Sequence, residues 1–180
     1  MPLNLIKKYP NLLEIMHLNE YDRLQSLRPI FNRDIQDNEK LAFQTKIIRP
    51  IKKDGEATFE TVFNHLIKEN VLVVDQATGK KIKRRVFEKD RAQRLHWVKF
   101  HLELKKTANV EVFSTKERDN RKRKDVFRTY IYDTEQQYIV VLEPQNSGLD
   151  YYLLSAYHLN EDWAPKNMRK KMKKKLPTIL

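Results

Sequence analysis

Four apolar segments, separated by short polar connections, dominate the second half of the chain. They read VEVFS, VFRTYIY, YIVVLE and YYLLSAY, at residues 110–114, 126–132, 138–143 and 151–157. Strands this close in sequence pair most simply as an antiparallel meander. Since helical patterns precede them, we predict an α+β chain whose sheet has about four antiparallel strands.

The helical patterns lie in residues 58–106. Residues 58–69 carry apolar side chains at the spacing of an amphipathic helix. Residues 71–87 predict a hairpin whose second strand is basic. Residues 88–106 are apolar on two sides, which predicts a long central helix covered on both sides and packed on the sheet.

Residues 1–57 read as an N-terminal helical extension with a strand. Two short helices are expected there, the second capped by Asn19, followed by a strand at 41–48. This extension either folds separately or completes the core. The predicted division is then the extension, a main domain over 58–162 and a basic tail over 163–180.

The charge balance indicates a polyanionic partner. The chain has 36 Lys and Arg against 24 Asp and Glu, a formal net charge of +12. A basic field of this size attracts nucleic acid through phosphate neutralisation and counterion release, although it can also be a solvated surface. The chain contains 3 Gly and none of the glycine-rich phosphate-binding patterns, which argues against the common nucleotide-binding folds.

Cysteine is absent, which excludes disulfides and thiolate metal sites. No stretch approaches the length of a membrane span, and the first residues do not form a signal peptide. We therefore expect a cytoplasmic protein with no membrane association, no metal and no cofactor.

Two late strands carry polar side chains at positions suited to a binding face. Alternation along 126–132 places Arg128 and Tyr130 on one face, where Arg can bind phosphate and Tyr can stack on a base. An ordinary outer face with a surface Arg is the alternative. In the last strand, the Ser155 hydroxyl needs a partner, which could be phosphate or backbone.

Two histidines lie within the predicted long helix. His96 and His101 can each serve as a general acid or base near neutral pH, or can be structural. They are five residues apart, which is the wrong spacing for a metal pair on one helical face. His65 lies off the apolar face of its helix and receives no role.

Together these segments resemble phage-associated nucleases of the Barnase–EndoU–colicin–RelE superfamily. The resemblance covers about residues 58–160 and is carried by RLHW, FRTY and the LLSAY ending of the last strand, where Ser155 stands in place of the commoner Thr. It implies a fold of helices followed by an antiparallel sheet. It also implies a metal-independent endoribonuclease that acts as a toxin or effector of a phage or other mobile element.

The resemblance also implies roles for individual residues. Arg128 would bind the phosphate, and His96, or in its place His101, would be the general acid or base. Ser155 and Tyr157 match the hydroxyl and tyrosine of the last strand, with Tyr130 beside them. Cations expected to contact nucleic acid are Arg84, Arg85, Arg94, Lys122 and Arg123.

Such an enzyme would let the RNA 2′-hydroxyl attack the adjacent phosphate, leaving 2′,3′-cyclic phosphate ends. The expected partners are RNA, with tRNA and mRNA both open, and a protein inhibitor. Two alternatives stay open. One is a non-catalytic RNA- or DNA-binding module, and the other is an interaction protein built around residues 1–57 with the basic tail as a docking arm.

Overall fold

The computed structural model describes residues 2–53, 56–120 and 123–180. It is an α+β protein, and within these ranges the elements have the following bounds. The helices are α1 (Glu20–Phe31), α2 (Phe59–Ile67), α3 (Lys89–Ala92), α4 (Trp97–Leu102) and α5 (Ala164–Met172). The strands are β1 (Ala42–Phe43), β2 (Lys46–Pro50), β3 (Lys52–Lys53), β4 (Glu56–Ala57), β5 (Lys68–Val74), β6 (Lys81–Phe87), β7 (Val110–Asp119), β8 (Lys124–Asp133), β9 (Tyr138–Pro144) and β10 (Asp150–His158).

The main sheet has six strands in the order β1-β2-β10-β9-β8-β7. The predicted meander is present, because β7, β8, β9 and β10 pair antiparallel in sequence order. The prediction of a four-stranded antiparallel sheet is nevertheless wrong. Strand β2 pairs parallel to the first half of β10, with Ile48 opposite Tyr151, and β1 continues the sheet beyond it.

The predicted long helix over 88–106 is also wrong. Two short helices, α3 and α4, are separated by a turn at residues 93–96. The Gln93 carbonyl accepts from the Leu13 amide at 2.9 Å, and the Gln93 side chain donates to the Leu13 carbonyl at 3.2 Å. The helix is interrupted because its backbone bonds to a distant segment, a tertiary contact that helical periodicity does not report.

The N-terminal segment contributes directly to the core. Asn19 caps α1 as predicted, its side chain accepting from the Asp22 amide at 2.9 Å. Residues 11–15 do not form the expected first helix; they run without helical structure, and Leu13 and Ile15 are fully buried. Leu13, Ile15 and Phe43 belong to the same hydrophobic core as buried residues of β8, β9 and β10, and β1 and β2 extend the main sheet.

The sheet has two differently covered faces. On its helical face, Ile131, Val140 and Leu142 pack against buried residues of α1, α2, α3 and α4. On its opposite face, which we call the α5 face, Tyr130 and Val141 pack under Met168 of α5. Period-2 alternation therefore separates the side chains of each strand into two compartments.

Strands β5 and β6 form a separate two-stranded ribbon, which confirms the hairpin predicted over 71–87. The Asp75 carboxylate accepts from the amides of Ala77 and Thr78, both at 2.9 Å, and Gly79 takes a φ of +66° in the turn. Glycine adopts this left-handed conformation without steric cost. Among the helices that the structure describes, none is long and apolar enough to cross a bilayer.

Candidate nucleic-acid interface

One face of the ribbon is fully solvent-exposed and carries positive charge without negative charge. Its paired positions, which we call the ribbon face, are Asn70 opposite Arg85, Leu72 opposite Lys83, and Val74 opposite Lys81. All six side chains are exposed, with Leu72 and Val74 at 64% and 60%. Large exposed aliphatic side chains between cations are typical of a contact surface rather than of a purely solvated strand.

At the base of the ribbon lies a cleft of about 290 Å³, which we call the foot cleft. It opens between the end of α2, the start of the ribbon, α3 and the middle of β10. Its lining residues are His65, Lys68, Glu69, Asn70, Arg85, Arg91, Leu154 and Ser155. Because Asn70 and Arg85 belong to both surfaces, the ribbon face continues into this cleft.

His65 is held in one orientation by contacts at both ring nitrogens. Its Nδ1 lies 3.0 Å from the Leu154 carbonyl oxygen, and its Nε2 lies 2.5 Å from an Arg85 guanidinium nitrogen. A carbonyl only accepts and a guanidinium only donates. We therefore assign the proton to Nδ1, which leaves the Nε2 lone pair directed toward the cation.

Arg91 of α3 links the end of α2 to the start of the ribbon through hydrogen bonds. Its guanidinium donates to the carbonyls of His65 and Lys68 at 2.8 and 2.9 Å, and it lies 5.2 Å from the centre of the Tyr157 ring. Burial lowers the pKa of Arg91. The Ser155 hydroxyl donates to the His65 carbonyl at 3.3 Å, so its partner here is backbone.

The structure thus brings together Ser155 and Arg85, two of the residues selected from the sequence. Tyr157 is approached by Arg91 but packs in the hydrophobic cluster of the α5 face. Sequence reasoning missed His65 and Arg91, which join Ser155 and Arg85. The available signal was the position of His65 off the apolar face of an otherwise clear amphipathic helix. Arg91 carried no signal, because its role depends on carbonyls at the end of α2.

Arg128 and Tyr130 lie elsewhere, on the α5 face. Arg128 forms ion pairs with Glu143 and, at 3.6 Å, with Asp119, and its side chain is 14% exposed. The Tyr130 hydroxyl donates to Glu117 at 2.6 Å, and burial together with this carboxylate raises the pKa of Tyr130. Arg128 is therefore occupied by carboxylates rather than presented to a phosphate.

Lys171 of α5 completes that cluster. Its ammonium group donates to both Glu117 oxygens at 2.7 Å and to the Tyr130 hydroxyl at 2.8 Å. Burial raises the pKa of Glu117, but hydrogen bonds from Lys171, Tyr130 and Thr115 outweigh it, so that the pKa is lowered overall. The basic tail is consequently anchored on the sheet by a helix and an internal ion pair.

The two histidines selected from the sequence lie in the helical layer. His96 is 6% exposed, and burial lowers its pKa to about 4, an effect that the nearby Asn11 backbone offsets only in part. Neither ring nitrogen makes a well-formed hydrogen bond with any residue that the structure describes. His101 is buried between the Trp97 carbonyl at 2.9 Å and the Asp133 carboxylate at 3.1 Å.

The remaining candidate cations are distributed over different surfaces. Arg94 is 12% exposed, pairs with Asp90 at 3.4 Å and lies 5.2 Å from the Trp97 ring centre, so it is part of the packing. Arg84 is exposed on the ribbon side opposite Arg85, and Arg123 is exposed in the turn before β8. Lys122 lies outside the described residues.

Among the residues that the structure describes, no group of three or more His, Asp or Glu side chains is placed to hold a metal ion. No protein-family model matches the sequence, and no curated protein or solved structure matches it either.

Proposed function

We propose that this protein binds nucleic acid through the ribbon face. The observation that carries the proposal is the row of Lys81, Lys83 and Arg85, all exposed, on one face of a two-stranded ribbon. Alternate residues of a strand are spaced by about 7 Å, so each cation can contact a different phosphate. Leu72 and Val74, opposite two of these cations, would contact sugars and bases.

The geometry of a two-stranded ribbon also suits a groove. A ribbon fits the major groove of B-form DNA, whereas the major groove of A-form RNA is too narrow to read, and RNA is recognised mainly as single strands or by shape. RNA is the partner that we propose from the resemblance, and duplex DNA is the competing partner that the ribbon shape brings into the test.

Binding should be measured with fluorescent 20-residue single strands and duplexes of RNA and DNA over a range of salt concentrations. The variant Lys81→Ala/Lys83→Ala is expected to weaken binding by about tenfold or more and to reduce the slope of log K against log salt by about 2, one unit per lost phosphate contact. If the protein prefers duplex DNA over every RNA tested, the ribbon face remains the proposed binding surface, but RNA is excluded as the partner.

The matched control is Lys166→Ala/Lys170→Ala, which removes the same charge from exposed positions on α5. It should change affinity and salt slope far less than the ribbon variant. Equal effects of the two variants would show that net charge alone governs binding, and would overturn the ribbon face as the binding surface.

RNA cleavage at the foot cleft is the second candidate function. It is favoured by the Nε2 lone pair of His65, held beside two arginines where the ribbon face ends. In the proposed step, the Arg85 guanidinium moves from Nε2 to the phosphate, which frees the Nε2 lone pair. Nε2 then takes the proton of the RNA 2′-hydroxyl, and the 2′-oxygen forms a bond to phosphorus. The bond to the 5′-oxygen breaks, that oxygen takes a proton from water, and Arg85 stabilises the charge that develops on the phosphate.

This step uses only protein groups and water, so cleavage in EDTA with 2′,3′-cyclic phosphate products is expected. His65→Gln should lower the rate by about 100-fold, on the scale of general base catalysis. The exposed His17→Ala is the control and should leave the rate unchanged. Binding without any cleavage by the unaltered protein would eliminate the second candidate and leave the first intact.

A further inference from the structure

A larger cleft lies on the helical side of the molecule and shares no residue with the ribbon face or the foot cleft. It measures about 730 Å³, within the range of small-molecule sites. We call it the N-terminal cleft, because it lies between the N-terminal segment, a π-helical segment at Asn32–Gln36 that follows α1, and α4. Its lining residues are Leu5, Ile6, Lys7, Lys8, Tyr9, Arg33, Asp34, His96, Lys99, Phe100, Glu103 and Lys105.

Most of the charges in this cleft are already neutralised. Arg33 binds Asp34 with two contacts of 2.7 and 2.8 Å, and Lys7 pairs with Glu14 outside the cleft. These two pairs leave three lysines and one carboxylate.

The remaining charges are unbalanced. Lys99 and Lys105 share the single carboxylate of Glu103, at 3.4 and 2.7 Å. Lys8 is exposed and makes no ion pair with any residue in the described ranges. Three lysines against one carboxylate leave a net excess of two positive charges, which matches the charge of about −1.5 to −2 on a phosphate monoester at neutral pH.

The rest of the lining is apolar and partly aromatic. Phe100 stacks on Tyr9 with ring centres 4.2 Å apart and an angle of 7° between planes. Ile6 and Leu5 are 72% and 37% exposed at the same cleft, an unusual position for aliphatic side chains beside lysines. Such a surface suits the flat face of a ligand that also carries negative charge.

His96 adds an unused polar group to the floor of the cleft. Its side chain is buried, and both ring nitrogens are without a well-formed hydrogen bond among the residues described. Buried polar groups in native proteins are nearly always bonded, and the only hydrogen-bond contact of this imidazole in the described ranges is a poorly formed one with the Asn11 backbone, so it can accept or donate a further hydrogen bond at the cleft.

We propose that the N-terminal cleft binds a nucleoside phosphate, either as a free nucleotide or at the end of a nucleic-acid strand. The phosphate contacts Lys8 and Lys105, and the base lies against Phe100 and Ile6. The proposal stands independently of the ribbon, because neither its residues nor its charge count involve β5 or β6.

Calorimetric titration of the full chain with AMP, adenosine and inorganic phosphate tests this proposal. AMP is expected to bind with a Kd at or below about 1 mM, at least tenfold more tightly than either of its parts. Lys8→Ala/Lys105→Ala should weaken AMP binding by at least tenfold. The control Lys40→Ala/Lys80→Ala, at exposed lysines elsewhere, should leave it within twofold.

Phe100→Leu distinguishes the base-binding part of the site from the phosphate-binding part, since it should weaken AMP binding while leaving the binding of inorganic phosphate unchanged. Thermal unfolding of each variant establishes that it is folded. Hexanucleotides with and without a 5′-phosphate identify the source: preference for the phosphorylated strand indicates a strand end, and binding of AMP alone indicates a free nucleotide. The proposal is overturned if neither AMP nor the 5′-phosphorylated hexanucleotide binds. It is also overturned if inorganic phosphate binds as tightly as AMP, or if Lys8→Ala/Lys105→Ala leaves AMP binding unchanged.

Discussion

His96 and Arg128 lie on opposite faces of the six-stranded sheet. His96 is buried in the helical layer beside Leu95 and Trp97, whereas Arg128 lies on the α5 face against Glu143. The sheet backbone and two layers of side chains separate them, so one active site cannot contain both. Substitutions of His96 and of Arg128 should therefore have different effects on stability and on its pH dependence, and each effect can be measured separately.

His96→Leu should leave the protein as stable at pH 7 or stabilise it by up to about 1 kcal/mol, because no well-formed hydrogen bond is lost and a buried polar group is removed. Chemical denaturation measures this change. A loss of more than about 2 kcal/mol would instead reveal a bond that holds the imidazole in place.

His96→Leu should also change how the free energy of unfolding depends on pH. The pKa of His96 falls to about 4 on folding, so between pH 6.5 and 4 the unfolded chain binds a proton that the folded protein does not. Stability therefore falls with decreasing pH across this window, by about 3 kcal/mol from this group at pH 4. His96→Leu should lack that part of the decline. Identical pH profiles for the two proteins would contradict the assignment.

Arg128→Ala should destabilise the protein by about 2 kcal/mol, because it removes an ion pair with Glu143 in which both side chains are mostly buried. The double variant Arg128→Ala/Glu143→Gln should cost less than the sum of Arg128→Ala and Glu143→Gln, with a coupling of about 1–2 kcal/mol. Additive effects in this double-mutant cycle would show that the pair is not coupled. RNA binding should be retained by every folded member of the cycle.

Asp133, the last residue of β8, forms a hydrogen bond with Tyr9 of the N-terminal segment. Its buried carboxylate accepts from Tyr9, His101 and Lys106 at 3.0 to 3.1 Å. Asp133→Asn should therefore cost about 3 kcal/mol at pH 7, whereas Asp37→Asn, at an exposed carboxylate, should cost almost nothing. Urea denaturation of the three proteins measures both effects.

The Asp133 contribution also depends on pH. Burial raises the pKa of Asp133, but hydrogen bonds from the Gln136 backbone, His101, Lys106 and Tyr9 outweigh it and lower the pKa overall. Its stabilisation is present above the unfolded pKa of about 3.9 and is lost as the pH falls through the lower folded value. The difference between wild type and Asp133→Asn should shrink at pH 2; a constant difference would argue against this carboxylate as the cause.

Met168→Ala should destabilise the protein by about 2–3 kcal/mol, because Met168 is 3% exposed and packs on the α5 face of the sheet. Lys170→Ala, two residues along the same helix and exposed, should have an effect below about 0.5 kcal/mol. Thermal unfolding distinguishes a packed helix from a loosely attached tail, for which both variants would be neutral.

Local pattern accounts for the parts of the fold that could be predicted. The spacing of Val62, Phe63 and Leu66 in α2, and the alternation around Arg128 and Tyr130 in β8, depend only on neighbours in sequence. The interruption at Gln93 could not be predicted in this way, because its cause is a hydrogen bond to Leu13, eighty residues earlier.

The amino-acid sequence by itself determined the four late strands, their order, the amphipathic helix α2, the basic ribbon and the net charge of +12, since periodicity and composition are local or additive properties. Only the tertiary structure decided that β2 joins the sheet beside β10, that His65 meets Arg85 and Arg91, and that Arg128 is matched by Glu143. Those contacts join residues far apart in the chain, and they form only when buried side chains pack and buried charges and backbone groups find partners.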